Sequence, residues 1–234
     1  MTLLKEGKNK QVFSSDVGNQ VVLKFNDKVY SSIDNREFVA AQKSELVSRI
    51  NNYMFSKISG IVPHHYLRKV DDSSFLATKL DIMPVKVFIH NFVDGSLVDR
   101  KKFIRGEWLL SPFIEYIIDD GKGNDIYADE AEVVARGLLN YSQIDVLIDF
   151  SKKASQAIWN DFRSKNLYFV DAKISFGWDE SKNIVLCDEI TPQNCRIWLN
   201  NKDSSLDMDV FRSNPKSTDD LISAYIKLVN ILGC

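Results

Sequence analysis

Residues 167–198 read LYFVDAKISFGWDESKNIVLCDEITPQNCRIW, and the rest of the chain is organised around them. The first part alternates, with Tyr168, Val170, Ala172, Ile174 and Phe176 on one side of a strand and Asp171, Lys173 and Ser175 on the other. One side is core and the other carries polar chemistry. The run Ile184–Ile190 is apolar on both faces until Asp188 and Glu189, the pattern of a strand covered on both sides. The polar cluster 179–183 between them predicts a hairpin. With its turn centred on Glu180 and Ser181, Lys173 lies directly across from Asp188. A cross-strand ion pair is usually only that. Here Asp171 shares the face, two carboxylates end a strand, and an irregular segment with Arg196 follows, which is where a scaffold collects binding groups.

Outward from this stretch, 234 residues with 44% hydrophobic and 26% charged content suffice for one large domain or two small ones. A net charge of −2 gives no general basic surface for nucleic acid. No apolar run is long enough for a membrane span, and the first residues lack the apolar region of a secretory signal. Cys187, Cys195 and Cys234 are odd in number and lack CxxC spacing, so reduced thiols and a cytoplasmic location are expected. Three scattered histidines suggest no histidine-based metal centre.

Toward the N-terminus, 10–14 and 20–25 read as a hairpin. Ahead of them stands Glu6-Gly7-Lys8-Asn9-Lys10. If that stretch is extended, both ammonium groups point one way and suit a polyphosphate; a solvated lysine pair is the competing reading, and the GxxxxGK[ST] loop is absent. Asp34 and Glu37 resemble a capping box for a helix running to Gly60. Strands follow at 66–70, 75–80 and 85–92, with Pro84 marking a connector. Asp94-Gly95-Ser96 reads as a turn, 119–125 as a polar loop and 128–139 as a short helix. Ser142 and Asp145 read as the start of a long helix, and Ser217 or Thr218 as the cap of the last.

Five stretches together, EGKNKQVF at 6–13, KLDIMPVKVFIHN at 79–91, GSLVDR at 95–100, VDAKISFGWD at 170–179 and CDEITPQNCRIW at 187–198, resemble the SAICAR synthetase family in order and spacing over nearly the whole chain. The resemblance implies an α+β fold. Residues 1–82 would form a β-rich nucleotide-binding module, distantly like a kinase small lobe, and 83–234 an α+β substrate module, with ATP between them. It implies a ligase that joins the carboxylate of CAIR, an aminoimidazole ribonucleotide, to the amine of L-aspartate in purine biosynthesis, using ATP and Mg²⁺, as a homo-oligomer. By the same resemblance Lys8 and Lys10 hold ATP phosphates, and Lys79, Leu80 and Ile82 meet the nucleotide. Asp188 acts on ATP through Mg²⁺ beside Lys173, while His90, Ser96, Arg100 and Arg196 bind the ribonucleotide's oxyanions.

The chain departs from that pattern at several of these places. Ser175 stands where the family has a metal-holding glutamate, and His90 where it has an arginine. Ser31, Asn124, Gln193 and Leu199 also fall in altered segments. Three readings stay open: a working synthetase, an ATP-dependent amide ligase acting on another carboxylate or amine, and a weakened nucleotide-binding protein.

Overall fold

Residues 167–187 do form a hairpin, but it turns later than the apolar pattern suggested. In this computed structural model, which describes residues 1–31, 36–119, 125–200, 204–214 and 217–234, Ser175 pairs with Cys187 and Trp178 with Ile184. The expected register would pair Ser175 with Leu186. Asp179 sets the difference. Its N–H donates to the Asn183 carbonyl (3.0 Å), and its carboxylate accepts from the N–H groups of Ser181 (2.9 Å) and Asn183 (2.8 Å). The loop is therefore residues 180–182, with Lys182 at the left-handed φ of 63° that three-residue loops use. The strand ends at Cys187 and Asp188 leaves the ladder at φ 73°. The expected Lys173–Asp188 pair does not form: Lys173 binds Asp125, and Asp188 binds Lys10.

In chain order the first elements are β1 (Leu3–Glu6), β2 (Lys10–Ser14), β3 (Gln20–Phe25), β4 (Lys28–Ser31), β5 (Arg36–Val39), α1 (Lys43–Ile58), β6 (Tyr66–Lys69) and β7 (Ser74–Thr78). There follow β8 (Asp81–Phe92), α2 (Ser96–Lys101), β9 (Trp108–Asp119), β10 (Asp125–Ala128), α3 (Glu130–Ala135) and α4 (Tyr141–Arg163). The last are β11 (Leu167–Trp178), β12 (Ile184–Cys187), β13 (Cys195–Leu199), β14 (Ser204–Ser205), α5 (Asp209–Ser213) and α6 (Thr218–Leu232). Strands β1-β2-β3-β7-β6 make one sheet, and β10-β9-β8-β11-β13-β14 the path of a seven-stranded second, with β12 on β11; β4 and β5 pair with each other. Every strand pairing among the described residues is antiparallel. This is the expected α+β class.

The sheet changes between Thr78 and Asp81. Strand β8 begins earlier than expected and runs through Pro84, because Met83 and Pro84 lie where its pairing to β11 shifts register, a place that needs no N–H from proline. Asp34 lies outside the described residues, and Glu37 is in β5 rather than a helix. Helix α1 starts at Lys43, after Gln42 at φ 72°. The long helix α4 is capped earlier than expected, by Asn140, whose side chain accepts from the Gln143 N–H while the Gln143 side chain accepts from the Asn140 N–H, both at 2.9 Å. Asp94–Ser96 leads into the short helix α2 rather than a bare turn. Ser217 caps α6 as expected.

One continuous core joins the parts. Leu23 and Phe75 of the first sheet, Leu46, Ile50 and Met54 of α1, Ile174 and Phe176 of β11, Ile158 of α4 and Leu228 of α6 all belong to it. Helix α1 packs against α4, α6 and β3, and α4 against β11 and β12, so buried helix faces link the two sheets.

Candidate active site

The segment 188–196 leaves β12 and re-enters the second sheet as β13, and polar side chains collect at both of its ends. At the first end, Lys10 Nζ reaches Asp188 Oδ1 (2.7 Å) and Glu189 Oε1 (2.5 Å). Burial opposes a charge on Lys10, yet Asp188 and Glu189 more than compensate and raise its pKa. Burial likewise pushes the Asp188 carboxyl up, and Lys10 outweighs it, leaving the pKa lowered. The left-handed turn at Asp188 is pinned by its carbonyl, 2.9 Å from His65 Nε2. Glu189 is fixed by the Thr191 hydroxyl, which donates at 2.6 Å, and the Asn51 side chain accepts from the Ile190 N–H at 3.0 Å.

Lys43, fully buried, donates to the Lys28 carbonyl (2.6 Å) and to Gln193 Oε1 (3.2 Å). Burial lowers its pKa to about 8 against the pull of Glu189 and Asp27. Gln193 thus ties this cluster to a cavity of about 230 Å³ on its other side, lined by Phe88, Ser96, Tyr127, Lys173, Gln193 and Arg196 among others.

Charges of alternating sign run beneath that cavity. Arg100 grips Glu115 with both forks (2.6 and 2.5 Å) while lying on the Tyr127 ring, 3.8 Å from its centroid. His90 stands between Glu115 and Asp171 at ion-pair distances. Arg196 donates to Asp171 (2.7 Å) and Asp209 (2.7 Å), and Arg212 binds Asp209. Burial would raise the Glu115 carboxyl, but Arg100 and His90 hold it down at about 2. Burial would raise Asp171 too, and Arg196 and His90 keep it low. Gly95, at φ 57°, backs the Arg196 guanidinium so closely that a Cβ there would stand 2.5 Å from Nη2.

The residues singled out from sequence do not all gather in one place. Lys10 and Asp188 meet, and Ser96, Lys173 and Arg196 share the cavity wall, with Arg100 bonded to the Ser96 hydroxyl at 3.3 Å. Lys8 does not aim with Lys10. The stretch is a turn, closed by the Gly7 N–H on the Lys10 carbonyl (2.9 Å), and Lys8 lies over the Tyr30 ring. His90 is only 1% exposed, so the expectation of a direct oxyanion ligand gives way to a buried ion-paired ring. Lys79 and Leu80 form the connector between the sheets, and Ile82 lies at the start of β8. Ile82 is exposed, and Gly177 lets the connector lie on β11, since a Cβ there would meet Asp81 O at 2.9 Å.

Lys43, Glu115, Tyr127 and Asp209 were not picked out in the sequence. Glu115 left a signal, a single carboxylate inside the apolar run 112–118; an isolated charge there requires a buried partner. Lys43 left none.

Among the described residues no group of three or more His, Cys, Asp or Glu side chains could hold a metal unaided. Asp188 and Glu189 offer two carboxylates around one ammonium. That donor set fits Mg²⁺, which takes one or two carboxylates and completes its shell with phosphate oxygens and water.

The family model described as SAICAR synthetase matches residues 3–227. A phosphoribosylaminoimidazole-succinocarboxamide synthase of Staphylococcus epidermidis is 29% identical over 99% of this chain and 98% of its own length. The fold matches the crystal structure of the synthase of that name from Ehrlichia chaffeensis at a TM-score of 0.91, covering 99% of this chain and 98% of that one at 24% identity. A SAICAR synthetase solved in complex with ADP matches at 0.90, with 26% identity over 97% of this chain and 96% of that one.

Proposed function

The chain belongs to the SAICAR synthetase family, and from that premise we propose how its residues divide the work of an ATP-dependent ligase of purine biosynthesis that joins the carboxylate of CAIR to the amine of L-aspartate. One observation carries the assignment: the segment 188–196 puts a lysine–carboxylate cluster at one end and a guanidinium in a cavity at the other, bridged by Lys43 and Gln193. A carboxylate resists an amine until it is activated, so phosphate donor and carboxylate must be held side by side.

Lys10 holds the ATP phosphates. Asp188, with Glu189 beside it, would hold Mg²⁺, which would supply charge neutralisation on those phosphates. Lys10 exchanges its carboxylate partners for phosphate as the nucleotide enters. Lys79, Leu80 and Ile82 meet the base where the chain passes from one sheet to the other. Ser96, Arg100 and Arg196 bind the ribonucleotide's oxyanions, where the arginine forks suit phosphate and carboxylate. Lys173, next to Asp171 on the cavity wall, steadies charge developing on the activated carboxylate.

The division into residues 1–82 and 83–234 is supported by the change of sheet between Thr78 and Asp81. A homo-oligomer is supported by the exposed Ile104, Trp108 and Leu110. A cytoplasmic setting is supported by three cysteines free of disulfides; among the described residues no helix is long and apolar enough to cross a membrane.

The test is ADP release by pure protein with Mg·ATP, CAIR and L-aspartate, omitting each in turn, with the imidazole product identified by mass. Turnover that needs all three and yields SAICAR is expected. ADP release with another carboxylate or amine, and none with these, would move the chain to the second reading from sequence.

A further inference from the structure

Both ring nitrogens of His90 face carboxylates. Nε2 lies 3.4 Å from Glu115 Oε2 and Nδ1 lies 3.6 Å from Asp171 Oδ2, in a ring that is 1% exposed. Neither nitrogen has a hydrogen-bond partner, so these are ion-pair contacts. A neutral imidazole has one N–H and one lone pair. Placed here, it would set a lone pair against a buried carboxylate, whichever tautomer it took. Only the imidazolium presents an N–H to each side.

The surroundings are otherwise balanced. Glu115 of β9 is held by Arg100 of α2, Asp171 of β11 by Arg196 of β13, and Asp209 by Arg196 and Arg212. Asp94 pairs with Arg105, and Lys173 with Asp125. Tyr127 of β10 covers Arg100, and Lys173 lies over the Phe88 ring, itself 4.0 Å from the His90 ring. A proton on His90 therefore adds a positive charge beneath a cavity lined by Arg196 and by Ser96, to which Arg100 is bonded, and each of these two arginines is anchored to a carboxylate that His90 touches.

We propose that His90 works as an imidazolium and is a positioning residue: it holds Glu115 and Asp171 between the two arginines, keeps Arg100 and Arg196 aligned on the anionic substrate, and makes the floor of the cavity net positive. The identity of that substrate rests on the function proposed above; the charge state of His90 does not. Burial works to strip the proton, and Asp171 and Glu115 outweigh it, raising the pKa above 6.5. His64 is half-buried and His65 buried, neither between two carboxylates, and both are lowered.

The first experiment needs no substrate. Imidazole resonances of the intact protein, assigned through the backbone, are followed from pH 5 to 9 by NMR. His90 should keep its proton above pH 6.5 while His64 and His65 lose theirs below it; titration of His90 at or below 6.5 would overturn the proposal. The second experiment is kinetic. His90→Gln should raise KM for CAIR roughly tenfold and change kcat by less than about twofold, the pattern of lost ground-state binding. His90→Arg, which keeps a charge, should stay within about threefold of the parent KM. In the parent enzyme, KM for CAIR should rise as pH climbs through the His90 titration seen by NMR. An unchanged KM in His90→Gln, or a flat pH profile across that titration, would sink the positioning role. If the parent enzyme did not turn over CAIR at all, the function would fall while the titration still decided the charge of His90.

Discussion

Asp188 and Lys10 neutralise each other across 2.7 Å, and under the proposed function each would release the other when nucleotide arrives. Removing the Asp188 charge leaves Lys10 still paired with Glu189, so the fold keeps a partner for its buried ammonium. Asparagine is the replacement of choice because it tolerates the left-handed backbone at φ 73°. Asp188→Asn should cut Mg·ATP-dependent turnover by at least about 100-fold, the scale of losing one preorganised charge at a phosphate site, with circular dichroism unchanged. Turnover near the parent's would take the metal away from Asp188. Ser175, 5% exposed within β11, pairs with Cys187, the last residue of β12 before Asp188. A hydroxyl cannot supply a carboxylate's charge to Mg²⁺. Ser175→Glu should therefore lower the Mg²⁺ concentration at half-maximal rate several-fold, and an unmoved Mg²⁺ curve would separate Ser175 from the metal.

Two elements hold the site in place by different means, and each can be probed alone. The turn into α2 brings its backbone under Arg196, with Gly95 at φ 57° and no room for a methyl group. Gly95→Ala should cost about 1–2 kcal/mol of stability from the left-handed backbone alone and push the guanidinium off its seat. A raised KM for the ribonucleotide substrate with a modest fall in melting temperature is the expected pair of results; a normal KM would mean that Arg196 does not need that seat. Helix α4 is anchored by the reciprocal Asn140–Gln143 box, far from the cavity lining. Asn140→Ala should cost about 1 kcal/mol, which in a chain of this size is about 2–4 °C of melting temperature, with kcat and KM unmoved. Calorimetry and steady-state kinetics on the same preparation check both.

At the scale of the whole molecule, the row of buried charges couples stability to acid. Glu115 is held down at about 2 from an ordinary 4.5, and Asp171 and Asp188 are also lowered. A carboxyl whose folded pKa lies below its unfolded value contributes stability that is fully present above the unfolded value and is lost as pH falls through the folded one. Stability should therefore decline progressively from about pH 4.5 toward 2, as these carboxylates take up protons on unfolding, while the contribution of His90, whose pKa is raised, is full below pH 6.5 and is lost as pH rises through its folded titration. Denaturant titrations at fixed pH values would show it. Glu115→Gln should flatten part of that slope, and an unchanged slope would mean that the Arg100–Glu115 pair does not couple to folding. Because one core runs through both sheets and three helices, the loss should come as a single transition.

The sequence by itself determined the hairpin around 179–183 and the N-cap of the last helix, because alternation and turn chemistry are local properties, and its resemblance to the family carried the α+β class. It also pointed to Lys10, Asp188 and Arg196, which the structure places at the two ends of the segment 188–196. Only the tertiary structure decided who meets whom. A single extra residue in the Asp179 turn moved Asp188 from Lys173 to Lys10, and one residue of register cannot be read from an apolar strand that is covered on both faces. Glu115, Lys43 and Asp209 became part of the site because β9, α1 and α5 are brought to it from distant places in the chain. His90 became a buried charge rather than a ligand for the same reason: its two carboxylates come from the strands on either side, and their convergence is a property of the sheet.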